Sequence, residues 1–148
     1  MDETAMSVRK QEVLKIDGDA EYTQLIQVEH ACDGSQEDAV ATITVHHDGY
    51  LMGIQMSSRM GFTTNGEHYV LELSKSGNFQ AFDSGNPDTL CVHNTSFQLA
   101  TQGATVTSVI SSLRTKIFFR AGERIYLNAF GAASRTVNGS AVLFWRNL

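Results

Sequence analysis

Apolar and polar residues alternate along most of this chain, and the alternation breaks at clusters of Gly, Asn, Asp and Ser. The cleanest run is Val40-Ala41-Thr42-Ile43-Thr44-Val45-His46. Ala41, Ile43 and Val45 share one face and the threonines share the other, which is the period of a half-buried strand. Asp48-Gly49 then predicts a hairpin turn, with Tyr50-Leu51-Met52-Gly53-Ile54-Gln55-Met56 running back and Met52, Ile54 and Met56 on one face. Upstream, residues 22–29 half alternate and stop at Cys32-Asp33-Gly34-Ser35. Asn65-Gly66 predicts another tight turn, feeding His68-Tyr69-Val70-Leu71-Glu72-Leu73-Ser74. Shorter runs at 97–99 and 105–110 precede the strongest apolar region, residues 116–148. There Lys116-Ile117-Phe118-Phe119 breaks at Arg120-Ala121-Gly122-Glu123, and Arg124-Ile125-Tyr126-Leu127-Asn128-Ala129-Phe130 follows. After a Gly/Ser/Asn spacer, the run from Ser140 through Phe144 and Trp145 to Arg146 closes the protein. Runs so arranged predict the central strands of an antiparallel sheet.

No window carries apolar residues at helical spacing over three turns. About eight short antiparallel strands in one domain leave a two-sheet sandwich or a barrel. The pattern therefore predicts an all-β, single-domain antiparallel β-sandwich, a jelly roll of about eight strands, over residues 20–148. Residues 1–19 are polar and mixed in charge, and read as an N-terminal arm that the domain does not need and that orders against a neighbour. The longest irregular stretch is 75–94, and long loops on a β scaffold are where binding tends to be placed.

A chain of 148 residues fits one domain whose core stands without metal or disulfide staples. The net charge of −5 argues against a nucleic-acid binder held by phosphate contacts. The charge is uneven, with ten acids against three bases in residues 1–40 and one acid against six bases in residues 89–148. Such asymmetry suits copies of one chain packed head to tail. Cys32 and Cys91 match no metal or redox spacing and read as two unbridged thiols. Met1 to Lys10 is polar and charged, unlike a signal peptide, and no apolar run approaches the ~18 residues of a membrane span. These features predict neither a membrane nor a nucleic-acid partner, and synthesis in a cytoplasm.

Several clusters carry residue types suited to chemistry. His46-His47-Asp48 is the most metal-like, but neighbours on a strand point to opposite faces, so one of these would need a distant His30, His68 or His93. No serine sits in a nucleophile-elbow context, and Glu67 and Glu72, five positions apart, fall on opposite faces of a regular strand. Gly122 and Gly131 open no phosphate-binding helix. The expectation is no catalytic residue, no cofactor and no metal. Arg114, Lys116, Arg120 and Arg124, interleaved with Phe118, Phe119 and Tyr126, read better as a protein interface toward an acidic neighbour than as a nucleic-acid surface.

The close of the chain, Gly122-Glu123-Arg124-Ile125-Tyr126-Leu127 and then Ser140-Ala141-Val142-Leu143-Phe144-Trp145, resembles the last two strands of C1q/TNF-like jelly rolls. Asp48-Gly49-Tyr50-Leu51 is similar to that family's early hairpin, while Glu123 stands where Asp is usual and no collagen stalk is present. The resemblance implies trimers packed through aromatic strand residues and transfers no catalytic residue. With the polar arm, it also looks like a viral or bacteriophage jelly-roll structural protein: a head decoration, minor capsid or fibre-head component. The expected function is a non-enzymatic virion protein, a homotrimer that binds a major capsid protein or other virion proteins. Tyr126, Phe130, Phe144, Trp145, Arg120 and Arg124 are the expected oligomer-interface residues. The alternative is a receptor- or glycan-binding fibre head that uses Tyr50, Phe79 and Phe82 as stacking platforms. A second alternative is a cupin-like metal enzyme built on His46, His47 and His93.

Overall fold

The computed structural model describes residues 6–16, 21–32, 34–60, 67–83, 85–97, 105–110, 116–131 and 136–148. Ten strands are described: β1 (Met6–Ile16), β2 (Glu21–Ala31), β3 (Gln36–Thr44), β4 (Gly49–Met60), β5 (Glu67–Ser74), β6 (Thr89–Phe97), β7 (Thr105–Ile110), β8 (Ile117–Phe119), β9 (Arg124–Gly131) and β10 (Thr136–Asn147). They form two antiparallel sheets and no helix among the described residues. One sheet has the order β1-β2-β10-β4-β7, with β8 also on β4, and the other has the order β3-β9-β5-β6.

The pairings are nested. β2 pairs β10, β3 pairs β9, β4 pairs β7 and β8, and β5 pairs β6. The chain is thus one long hairpin folded about the 75–88 loop and rolled so that successive pairs fall in opposite sheets, which is a jelly roll. β7 and β8 follow each other along β4, opposite Ile54–Arg59 and Gly49–Leu51 respectively, and act as one interrupted strand. Counted that way the roll has eight strands, as the pattern predicts, with β1 added at an edge. Residues 6–16, expected within the arm, are that edge strand.

Period two places the core. On β2 the burial pattern iBiBiBeBiBi puts Tyr22, Gln24, Ile26, Val28 and His30 inward. On β3, Ala41 and Ile43 face inward as predicted, with Val45 just beyond. Trp145 stacks on Tyr22 with ring planes 12° apart and meets Phe119 edge-on at 5.5 Å. Its indole Nε1 donates to Gln24 Oε1, and Gln24 Nε2 donates to the Thr44 carbonyl, tying one sheet to the other.

Two local readings change. Asp48-Gly49 does not close a hairpin, because β3 and β4 lie in different sheets and the turn carries the chain across the sandwich end. Gly49 is needed instead because a Cβ there would overlap the Arg146 carbonyl of β10. The inward face of β4 also changes phase, because the ladder to β10 shifts register between Phe144 and Trp145. Leu51 and then Ile54 and Met56 are buried, and Met52 turns outward. The Asn65-Gly66 turn lies outside the described residues.

Candidate functional site

The 75–88 loop folds back over the outer face of the β3-β9-β5-β6 sheet and is fixed there by a buried polar cluster. On β9, Tyr126, Asn128 and Phe130 alternate with the core residues and point outward. Asn128 is nevertheless fully buried, as is its ladder partner Glu72 of β5. The Asn128 Nδ2 group donates to Glu72 Oε1 at 3.1 Å and to the Ser76 and Asn78 carbonyls at 3.1 and 3.2 Å. Its Oδ1 accepts from the Ala39 amide at 2.7 Å. Ala39 holds a φ of 47°, inside the irregular stretch where the β3–β9 register jumps between Glu37 and Ala41. Glu72 also accepts from the Gln80 amide at 2.9 Å and from Thr89 Oγ1. A buried carboxylate is stabilised by several donors of this kind. Asp38 Oδ1 adds an acceptor for the Phe79 amide at 2.7 Å.

This clamp presents three aromatic rings together. Phe79 lies 5.2 Å from Phe82 and 6.5 Å from Phe130, and Phe82 lies 5.6 Å from Phe130, all in edge or tilted arrangements. Phe79 is buried, Phe130 half-buried and Phe82 55% exposed, so the trio is an anchored apolar knob open to solvent. Tyr126, on the same face, is covered where Gly77 passes over its ring.

The second candidate surface is the outer face of the other sheet. Leu25 of β2, Val142 and Phe144 of β10, and Tyr50 and Met52 of β4 are half-buried there without the cover of another layer among the described residues, and Phe118 of β8 is 39% exposed. Tyr50 meets Phe118 at 5.5 Å. Phe144, Met52 and Thr23 border a shallow hollow of about 130 Å³ that also meets Glu21 and Arg146. Further along the same strands the face turns polar. A groove of about 470 Å³ lies over Gln27, Glu29, Ser57, Arg59, Asn138 and Ser140, with Ser57 and Ser140 hydrogen-bonded at 2.6 Å.

The structure regroups the residues named from sequence. Phe79 and Phe82 are together, and Phe130, named for the interface, joins them, whereas Tyr50 lies on the opposite sheet with Phe118. Arg120 and Arg124 are exposed around the β8–β9 turn at one sandwich end. That turn is stitched to the β3–β4 turn, with Ala121 N donating to Asp48 Oδ1 at 2.8 Å and Gly122 N to the Val45 carbonyl at 2.8 Å. Trp145 is 2% exposed within its own chain, so its burial is already complete before any association. The five histidines are dispersed. His46, His47 and His68 are exposed, His47 lying edge-on to Tyr22, while His30 and His93 are buried at different places. His93 Nε2 is 2.8 Å from Ser58 Oγ, and burial pushes its imidazole below the ordinary range. Among the described residues, no group of three His, Cys, Asp or Glu side chains is arranged to hold a metal ion.

Sequence reasoning weighs Glu72 only as one of a carboxylate pair with Glu67, and does not single out Asn128 as its partner. The only signal was a carboxylate inside the apolar run 69–73, opposite a polar residue in another apolar strand.

Neither a protein-family model nor a curated protein matches this chain. Among solved structures, it is similar to a protein described as "Bacillus endospore appendages form a novel family of disulfide-linked pili", with 8% identity, 95% of this chain and 100% of that chain covered, and a TM-score of 0.42. It is also similar to Eiger TNF from S. frugiperda, at 14% identity, 95% and 93% coverage and a TM-score of 0.40. A third is Desmodium yellow mottle tymovirus, at 5% identity, 94% and 95% coverage and a TM-score of 0.37. At these values the likenesses carry no functional argument, and the jelly-roll assignment rests on the nested strand pairing itself.

Proposed function

We propose that this protein is a non-enzymatic structural subunit of a virion, a jelly roll that trimerises and decorates or stabilises a capsid. The observation that supports this reading most is the outer face of the β1-β2-β10-β4-β7 sheet. Leu25, Val142, Phe144, Met52, Tyr50 and Phe118 form its apolar part, with no second layer over them among the described residues. A second subunit would complete the burial of these half-buried side chains. Phe144 and Tyr50 replace Trp145 as the central aromatic contacts, and Arg120 and Arg124 serve as rim charges.

The test is solution mass by light scattering, on the full chain and on a chain lacking residues 1–19, followed by addition to capsids that lack the protein. A trimer that dissociates with Phe144→Asp and full-chain binding to the capsid are the expected results. A folded monomer at micromolar concentration that ignores such capsids overturns the reading.

A second reading, a receptor- or glycan-binding fibre head, is favoured by the Phe79–Phe82–Phe130 knob. Rigid presentation of an exposed ring is what sugar stacking requires. Glycan-array or cell binding that survives Phe82→Ala together with Phe130→Ala removes it.

A further inference from the structure

Chemistry that neither reading uses lies inside the sandwich, where the end of β2 meets β3 and β9. His30 and Cys32 are two residues apart, so both face inward, and they are 0% and 5% exposed. Cys32 Sγ lies 3.6 Å from His30 Nδ1. On the other side of the ring, His30 Nε2 lies 2.8 Å from Glu37 Oε2 of β3, whose side chain is 19% exposed. That ring nitrogen is not aimed along a hydrogen-bond axis, so the two groups are close without a directed bond. The imidazole therefore stands between a thiol and a carboxylate, the order of nucleophile, base and supporting acid. Because its two nitrogens point to different partners, the three groups do not converge on one ion.

Two neighbours complete the site. Gly131 of β9 closes over the sulfur, where any Cβ would overlap the Cys32 side chain. Tyr69 lies 6.1 Å from His30, ring to ring, and its buried hydroxyl has no hydrogen-bond partner. Burial, reinforced by Cys32 and Glu37, pushes that phenol far up, so it remains a hydrogen-bond donor.

We propose that Cys32 is a peroxide-reactive thiol, with His30 as its base, Glu37 as the group that supports the imidazolium, and hydroperoxides as the oxidant class. His30 takes the thiol proton at Nδ1, and the thiolate attacks one peroxide oxygen. The S–O bond forms as the O–O bond breaks. The proton passes from His30 to the departing oxygen, which leaves as water or an alcohol. Sulfur is oxidised by two electrons to a sulfenic acid and the peroxide is reduced by two. The 5% exposure of Cys32 and the close backbone of Gly131 restrict the oxidant to a small molecule.

Cys91 is the internal comparator. It is similarly buried, at 8% exposed, and burial pushes its thiol up against the opposing influence of the Val92 backbone. The experiment treats the intact protein with hydrogen peroxide and a cyclic 1,3-dione that traps sulfenic acid, and reads each cysteine by peptide mass. Cys32 should be trapped at least about tenfold faster than Cys91. Glu37→Gln, at a partly exposed position, should slow trapping and move the pH of half-maximal rate downward, since removing a nearby negative charge disfavours the protonated form of a base. His30→Asn should slow it further, and near-UV dichroism checks each fold. His30, Glu37 and Tyr69 are ionisable groups of this cluster among the described residues, so Tyr69→Phe controls the pH profile. If His30→Asn does not fold, Glu37→Gln decides alone. Equal trapping of the two cysteines overturns the proposal, as does a rate and pH profile that Glu37→Gln leaves unchanged.

Discussion

Asn128→Ala tests whether the polar cluster, rather than the aromatic trio, holds the 75–83 loop. The substitution removes four contacts at once: the donors to Glu72, Ser76 and Asn78 and the acceptor for Ala39 N. They do not count equally. The Ser76 and Asn78 residues are half-buried and exposed, so their carbonyls regain water at small cost. The Glu72 carboxylate, facing a filled layer, does not, and the Ala39 amide, on a half-buried residue, does so only in part. Leaving a buried amide unsatisfied costs about 1–3 kcal/mol, and losing a hydrogen bond to a charged group costs about 1.5–3 kcal/mol. Glu72 keeps the Gln80 amide and Thr89 hydroxyl, so the lower part of that range applies and the total is about 3–4 kcal/mol. Against a typical stability of about 5–15 kcal/mol this is a large loss. Urea unfolding should show a lowered midpoint at constant slope, and hydrogen exchange should quicken at the Phe79 and Gln80 amides. Asn128→Asp keeps the Ala39 contact but turns an acceptor toward Glu72, so at neutral pH it should lose at least as much as Ala. A loss below about 1 kcal/mol for Ala, with exchange unchanged, would refute the assignment of the cluster as the loop's anchor.

Phe144→Asp should abolish self-association in light scattering while shifting the thermal midpoint only slightly, because the ring is half-buried on an outer face and leaves no core cavity. Gly131→Ala should cost at least about 2 kcal/mol by chemical denaturation, since the new Cβ meets Cys32. Gly34→Asn should stay within about 1 kcal/mol, because at a φ of +86° with open space around it Asn tolerates the conformation. His93 adds a pH dependence. Its folded pKa lies below the ordinary 6.5, so the unfolded chain binds the extra proton and stability falls as pH drops through and below about 6.5. His93→Gln should flatten the unfolding midpoint between pH 7 and 5, and an unchanged slope there would contradict the burial argument.

What the sequence determined by itself was direction. Period-two alternation is a local property, so the inward face of β3 and the all-β class were legible from neighbouring residues alone. The spacing of His30 and Cys32 belongs to the same kind of information. Their partner Glu37 does not, because it arrives only when β3 folds over the end of β2. What tertiary structure decided was which strand lies beside which, and what covers a face that points outward. Asp48-Gly49 carries ordinary hairpin chemistry, yet pairing β3 with β9 and β4 with β10 turned it into a crossing between sheets. Trp145 has the aromatic surface of an interface residue, but Tyr22, Gln24 and Phe119 already fill its surroundings. Glu72 points away from the core and alternation marks it as solvated. It is buried because a loop closes over it, held through Asn128, 56 residues further along the chain. Contacts at such separations depend on the balance of ordering entropy and burial over the whole chain, and no local window contains that balance.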